Sequence, residues 1–223
     1  LSIASLLLIS TQLSQTQYVT TEKADLRAGL KPLSLLGERP DLWRFVAVSC
    51  LANLPTGMVL PFTQVFASEM KMADQYVLGA MVTAFAVVGL LLGVPLGRLA
   101  DRFGRKKILY ALAPVFWASN LMLVWSSRPV HLILAGVFQG TVSMTMVVTQ
   151  AMAFELVSPE RISDWLAVLR FFRMLVGAAL AFVSGLIWDH LGPEYVFLLA
   201  IAIDAAIRIP LLAGLPETLD TSA

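Results

Sequence analysis

Apolar residues form six long blocks along this chain, and polar or charged residues gather in the connections between them. The blocks with few or no charges are Phe45–Ala67, Gln75–Gly97, Ile108–Ser127, Pro129–Phe154, Trp165–Trp188 and Tyr195–Leu215. A helix rises about 1.5 Å per residue, so each block is long enough to cross a hydrocarbon core of roughly 30 Å. Because lipid cannot satisfy free backbone groups, the pattern predicts an all-α, polytopic membrane protein with six transmembrane helices. Pro55 and Pro61 predict a kink in the first helix.

The composition supports a membrane protein and excludes several other classes. Of the 223 residues, 58% are hydrophobic and 14% are charged, with a mean hydropathy of +0.78. Soluble proteins are about 45–50% apolar and about 25% charged. The net charge of +1 lacks the basic excess expected of a nucleic-acid-binding protein. A single cysteine, Cys50, excludes an internal disulfide and a multi-thiolate metal site, and we expect neither a metal site nor a cofactor.

Lysine and arginine residues predict which helix ends face the cytoplasm. Segment 11–44 contains five of them, connection 98–107 contains five and the connection before the fifth block contains one, whereas the opposite side has only Lys71 and Arg128. Cytoplasmic loops carry an excess of these residues. We therefore expect both ends of the bundle to be cytoplasmic and the protein to lie in the plasma (cytoplasmic) membrane.

The remaining segments suggest the domain organisation. Residues 1–10 form an apolar run that is too short to span a bilayer, and we interpret it as the end of a truncated transmembrane helix. Residues 11–40 are interpreted as a cytoplasmic linker, residues 41–216 as the six-helix bundle and residues 217–223 as a cytoplasmic tail. The chain is thus expected to be a fragment of a longer protein.

The connection between the second and third blocks has a distinctive composition. It reads Gly97-Arg98-Leu99-Ala100-Asp101-Arg102-Phe103-Gly104-Arg105-Lys106-Lys107. The two glycines allow two helices to approach and turn within a few residues, and Asp101 can accept hydrogen bonds or pair with an arginine. A merely basic loop would explain the cations but not the glycines and the aspartate.

This loop resembles the signature G-x-L-A-D-R-x-G-R-K/R-K/R of the major facilitator superfamily of transporters. The matching residues are Gly97, Leu99, Ala100, Asp101, Arg102, Gly104, Arg105, Lys106 and Lys107. The resemblance implies one six-helix bundle of a secondary active transporter, which moves a small solute by alternating access between two bundles. Its implied partners are the lipid bilayer, the solute and a complementary bundle on the same full-length chain.

Two function classes other than a transporter are relevant to this pattern, a membrane sensor or scaffold and an enzyme. A transport-inactive membrane sensor or scaffold could keep the same fold. No phosphate-binding loop of the type G-x-x-x-x-G-K-[ST] occurs, and the blocks contain no Ser/His, H-E-x-x-H or paired-Asp arrangement. We therefore do not expect an enzyme.

The resemblance leaves the choice of bundle open. A full signature loop is typical of the first bundle. In the fourth block, however, Gly136 replaces the arginine of the first-bundle pattern R-x-x-Q-G. In the fifth block, Ala181 and Phe182 replace Gly-Pro of the exchanger pattern G-x-x-x-G-P-x-x-G-G. Together with the apolar run and linker before the first block, these departures favour the C-terminal bundle.

Polar residues of the first and fourth blocks fall on arcs of a helical wheel. The first arc spans about 100° and the second about 40°; their members are Ser49, Asn53, Thr56, Thr63 and Gln64, and Gln139, Ser143 and Gln150. Amide side chains need partners, so both arcs should face protein or water. In the resembled fold these helices line the cavity, which makes Asn53, Gln64, Gln139, Ser143 and Gln150 candidates for it. The alternative is hydrogen bonding between helices that only holds the bundle together.

Two arginines share one face of the fifth block. We expect Arg170 and Arg173 to snorkel to the interface or to pair with Glu155 or Asp164. The alternative is that Arg173 binds an anionic group of the substrate.

The sixth block contains an acidic and a basic residue at i, i+4 spacing. Asp204 and Arg208 can pair on one helix face, and an unpaired charge at that depth would be unfavourable. We expect a structural intramembrane ion pair. Proton coupling through Asp204 is the alternative.

Overall fold

The computed structural model describes residues 35–38 and 40–215. The predicted helix end at 1–10, most of the linker at 11–40 and the tail at 217–223 lie outside the described residues. The described elements are all helical, with a four-residue helix at Leu35–Glu38 before the first long helix.

Six long apolar helices confirm the predicted spans. They are α1 (Leu42–Met70), α2 (Gln75–Phe103), α3 (Arg105–Val124), α4 (Pro129–Glu155), α5 (Pro159–His190) and α6 (Pro193–Ala213). Several extend past the charge-free blocks, since basic residues such as Arg98 and Arg102 can remain helical while their side chains leave the apolar zone. The end of the bundle that carries residues 98–107 is called the loop end below.

Helix α1 is irregular, as its prolines predict. Regular helix ends at Leu51, two turn residues follow, and π-helical segments occupy Pro55–Val59 and Phe66–Met70. A proline inside a helix lacks an N–H donor and clashes with the carbonyl four residues earlier. The backbone amide of Gly57 still finds a partner, because it donates to the carbonyl of Asn53 at 2.9 Å. A π-helical segment at Asp204–Arg208 also interrupts α6.

Two apolar clusters form the core, one toward each end of the bundle. Phe45 packs against Trp165 with ring centroids 6.0 Å apart at the loop end, and Phe66 packs against Phe197 at 4.8 Å toward the other end. The helices contribute unequally to the core. Within the most apolar 18-residue stretch of each helix, 6% of α2 and 11% of α5 is buried, whereas the share is 33–56% for the other four helices. The core is therefore built mainly from α1, α3, α4 and α6.

Close helix contacts explain one departure from the first-bundle pattern. A Cβ at Gly136 would lie 2.6 Å from the carbonyl oxygen of Met81, and one at Gly140 would collide with the backbone of Phe85. Gly136 and Gly140 thus form a small-xxx-small face that lets α4 approach α2. An arginine at position 136 cannot fit this contact. The G-x-x-x-G spacing was available in the sequence as a packing signal.

Candidate functional site

A polar cavity of about 410 Å³ lies between α1, α4 and α5. It is lined by Asn53, Met146, Gln150, Leu166, Leu169, Arg170, Arg173 and Met174. This polar cavity brings together three of the predicted candidates from three different helices: Asn53, Gln150 and Arg173. Gly57 and Gly177 allow this arrangement, since a Cβ at Gly57 would lie 3.2 Å from the Cα of Gly177 and hold α1 away from α5.

Arg173 is anchored by neutral partners. Its Nε donates to the hydroxyl of Ser49 at 2.6 Å, and its Nη1 donates to the side-chain carbonyl of Gln150 at 2.8 Å. Its Nη2 is buried and has no hydrogen-bond partner among the described residues. Among the described residues, no carboxylate forms an ion pair with Arg173.

Of the expected alternatives for Arg173, which were snorkelling or a bridge to Glu155 or Asp164, the bridge to Glu155 is wrong. Glu155 instead forms an ion pair with Arg105, whose Nη1 lies 2.8 Å from Oε2 of Glu155, because the charged loop reaches the end of α4. Asp164 is exposed, as is Arg170. The side chain of Arg173 points inward across the bundle and does not extend along α5 toward the membrane interface.

A smaller, apolar cavity of about 200 Å³ lies next to the polar cavity. Its lining is Ala52, Pro55, Thr56, Val59, Leu60, Phe85, Phe116, Gln139, Val142, Ser143 and Met146. Met146 lines both cavities and is their shared wall. None of the described residues that line either cavity is a carboxylate, and among them the guanidiniums of Arg170 and Arg173, both in the polar cavity, are the only ionic groups.

The polar residues of the apolar cavity bond mainly within the protein. Gln139 donates to the hydroxyl of Thr63 at 3.2 Å, and Thr63 in turn donates to the carbonyl of Val59. Ser143 donates to the carbonyl of Gly140 at 2.6 Å. Gln139 thus makes the kind of interhelical bond that was the alternative to cavity lining, although it also borders the cavity. Gln64 is half-buried and borders neither cavity.

Sequence reasoning missed the residues that separate and line the two cavities. Met146, Phe85 and Phe116 look like ordinary core residues, and no periodic signal marks them. A third cavity of about 440 Å³, at the end opposite the loop, is lined by Met70, Lys71, Met72, Ala73, Asp74, Val77, Ser126, Ser127, Arg128, Pro129 and Leu132. It contains none of the predicted candidates.

Asp204 and Arg208 form a buried ion pair inside α6. Their residues are 2% and 3% exposed, and the Nε of Arg208 donates to Oδ1 of Asp204. Trp117 of α3 donates its indole N–H to Oδ2 of the same carboxylate at 2.8 Å. The pair borders none of the three cavities.

The loop between α2 and α3 contacts the ends of two other helices, α4 and α6. Arg105 bridges Asp101, at 3.2 Å, and Glu155 at the end of α4. Lys106 donates to the carbonyls of Ala213 and Leu215 at 2.8 and 2.7 Å. A lysine there caps the C-terminal carbonyls of α6 and interacts favourably with its helix dipole.

The two glycines of the loop play different parts. Gly104 has φ +103°, a conformation that residues with a Cβ rarely adopt, so it makes the turn between α2 and α3. A Cβ at Gly97 would meet no atom within 4 Å in the described chain. The expectation that Gly97 permits a close helix approach is thus wrong within this bundle.

Comparison with known proteins decides the family. The sequence model of the Major Facilitator Superfamily matches residues 48–215, which is most of the chain. The chain belongs to this superfamily. The match runs from α1 to the end of α6, so it covers the charged loop and both cavities.

Three curated relatives match this chain, two named for transport and one for multidrug resistance. The chain is 28% identical over 105 residues to the inner membrane transport protein YajR of Escherichia coli, which is 47% of this chain and 23% of that protein. It is 29% identical over 104 residues to multidrug resistance protein 1 of Bacillus subtilis, with 47% and 26% covered. An uncharacterized transporter of Buchnera aphidicola is 26% identical over 116 residues, with 52% and 29% covered.

The matched part is about a quarter of each relative's length. The family and the six apolar helices show that this chain is an integral membrane protein of a transporter family, and its relatives point to a non-enzymatic role.

Proposed function

We propose that this chain is one six-helix bundle, half of a secondary active transporter that moves a small solute across the membrane by alternating access. The polar cavity is its share of the solute path. The observation that carries the proposal is Arg173, which is held by Ser49 and Gln150 in a cavity open between three helices and lacks a carboxylate partner. Transporters of this kind bind solute near the midplane, between two bundles.

The chemistry of the cavity favours solute binding over a purely structural role. An arginine near the centre of a span is unfavourable by about 2.5–3.5 kcal/mol on insertion scales. Two neutral hydrogen bonds orient the guanidinium but leave its charge uncompensated. A transporter that fills and empties this cavity accounts for such a group, whereas a sensor or scaffold gives no reason to keep it.

A complementary bundle accounts for the exposed helices. Only 6% of the most apolar 18-residue stretch of α2, and 11% of that of α5, is buried within this bundle. Lipid can cover apolar side chains, but half-buried amides such as Asn53 and Gln64 need polar partners or water. We propose that the second bundle lies on the same full-length polypeptide and that this chain is the C-terminal one.

The charged loop fits a gating role on the cytoplasmic side. The carboxylate side chain of Asp101 is 63% exposed while it contacts Arg105, so it can also accept from a second bundle. Gly97 borders open space in the same region. We propose that both ends of this bundle are cytoplasmic and that the loop closes against the partner bundle when the cytoplasmic side is shut.

Flux measurements on reconstituted protein test the proposal. Proteoliposomes containing the full-length protein should catalyse solute flux, whereas the segment 41–216 alone should not, because a site between two bundles needs both. Robust flux from the isolated and demonstrably monomeric segment would contradict the half-transporter proposal. If the full-length protein folds but moves none of a broad solute panel with or without an ion gradient, the sensor or scaffold alternative replaces transport.

A further inference from the structure

We infer that the solute site of this bundle selects amphipathic organic anions, molecules with a carboxylate, sulfonate or phosphate group joined to an apolar portion. The inference rests on the proposed function and names its substrate class. Arg173 in the polar cavity takes the anionic group, and the neighbouring apolar cavity takes the apolar portion. The two cavities share one wall, Met146.

The electrostatics of the polar cavity favour an anion. Arg170 and Arg173 both line it, three residues apart on α5, and no carboxylate lines either cavity. Glu155, the acidic residue at the loop end of α4, pairs with Arg105 at 2.8 Å. A cationic solute would meet two positive charges and no negative one. An anionic solute would supply the counter-charge that Arg173 lacks.

The geometry of Arg173 leaves a donor for such a group. Ser49 accepts from Nε and Gln150 accepts from Nη1, so two of the three nitrogens are used. Nη2 is buried without a partner among the described residues. An arginine whose guanidinium is already oriented loses little side-chain freedom when it binds a carboxylate or sulfonate. Met146 and Met174 line the cavity, and their unbranched side chains can move to admit the group.

The apolar cavity explains why the solute should carry an apolar portion. Phe85 and Phe116 border it, and two of its three polar members, Gln139 and Ser143, already make hydrogen bonds inside the protein. Its approximate volume of 200 Å³ suits a ring or a short alkyl group. A small inorganic anion would use Arg173 but leave this cavity unfilled.

Binding of three probes that share a naphthalene ring but carry an anionic, a neutral or a cationic group tests the inference. Full-length protein in phosphatidylcholine nanodiscs is equilibrated with 2-naphthalenesulfonate, 2-naphthol or 2-naphthyltrimethylammonium, and binding to empty nanodiscs is subtracted. We expect the sulfonate to bind at least 10-fold more tightly than the other two. Methanesulfonate, which has the same anionic group without the ring, should compete at least 10-fold more weakly. Equal or tighter binding of the cation, or no sulfonate binding, would overturn the inference.

Substitutions then assign the preference to Arg173. Arg173→Gln should weaken sulfonate binding about 10- to 100-fold, the range expected for a charge-assisted hydrogen bond, and leave 2-naphthol binding unchanged. Arg173→Lys should retain most of the affinity. Arg128→Gln removes an exposed arginine at the opposite end of the bundle and is the matched control. Unchanged sulfonate affinity in Arg173→Gln would overturn the assignment.

A second variant tests the same point without removing the arginine. Gln150→Glu places a carboxylate where Gln150 now accepts from Arg173, so it should compete with the sulfonate and weaken its binding at least 10-fold. Sulfonate binding that survives this change would also overturn the inference. Flux measurements distinguish the failure of one proposal from the failure of the other. Charge-selective binding without flux would contradict the transport proposal but not the substrate class. Flux of a cation, with no anion binding that depends on Arg173, would contradict the substrate class but not transport.

Discussion

Arg208 and Arg173 both lie inside membrane spans, but their surroundings are opposite. Arg208 is 3% exposed and pairs with Asp204 on its own helix, and Trp117 of α3 completes the carboxylate's hydrogen bonds. Arg173 borders a cavity, and within the described part of the chain its hydrogen bonds go to the neutral groups of Ser49 and Gln150. The charge of Arg208 is neutralised by a counter-ion on its own helix, whereas the charge of Arg173 has no counter-ion among the described residues.

The largest expected effect is the loss of one partner of the buried pair. Asp204→Asn leaves Arg208 buried without a counter-charge, which should lower the free energy of unfolding by about 3–5 kcal/mol. Adding Arg208→Gln removes the unpaired charge and should restore part of the folded protein. The measurement is the monodisperse fraction and Tm of full-length protein in detergent. Single and double variants that fold equally well but both fail in proton-coupled transport would replace the structural role with proton coupling.

Trp117→Phe should have the next largest effect. The substitution keeps most of the ring but removes the indole N–H that donates to Asp204 at 2.8 Å. A hydrogen bond to a charged group contributes about 1.5–3 kcal/mol, and we expect a loss of stability in this range. Trp125→Phe, at an exposed tryptophan, is the matched control and should leave Tm unchanged. Equal Tm values for the two variants would show that α3 does not support the pair.

Arg173→Gln should scarcely change stability, which sharpens the contrast with Arg208. The variant loses two hydrogen bonds to neutral groups but also loses a charge without a counter-ion, so the free energy of unfolding should change by no more than about 1 kcal/mol. Flux of the transported solute should nevertheless fall strongly. A drop in Tm as large as that of Asp204→Asn would mean that Arg173 has a structural role like that of Arg208.

Asp101→Asn should have the smallest effect on stability. The Asp101 side chain is 63% exposed where it pairs with Arg105, and ion pairs at the surface contribute only about 0.2–1 kcal/mol. Membrane insertion and Tm should be preserved, while flux in proteoliposomes should be impaired because the loop can no longer close properly against the partner bundle. Normal flux in this variant would contradict the gating role.

The sequence alone determined the architecture of this protein. A hydrocarbon core of about 30 Å demands long apolar helices, so the six blocks predicted the six helices, and Pro55 predicted the irregular α1. The i, i+4 spacing of Asp204 and Arg208 likewise predicted their contact, because both residues lie on one helix. The family followed from the loop at 97–107. These features depend on order along the chain or on a single helix.

Only the tertiary structure decided what surrounds each polar group. Which helix lies opposite Arg173 depends on how α1, α4 and α5 pack, and no spacing within α5 could show that Ser49 and Gln150, rather than Glu155, are its partners. The same holds for Trp117, which reaches Asp204 from another helix, and for Met146, which divides the two cavities. In the sequence, Gly136 stands where the first-bundle pattern has an arginine. In the structure, Gly136 packs against Met81 of the neighbouring helix. A side chain's neighbours on other helices are set by the shape of all the packed surfaces together, and residue order within one helix does not contain that information.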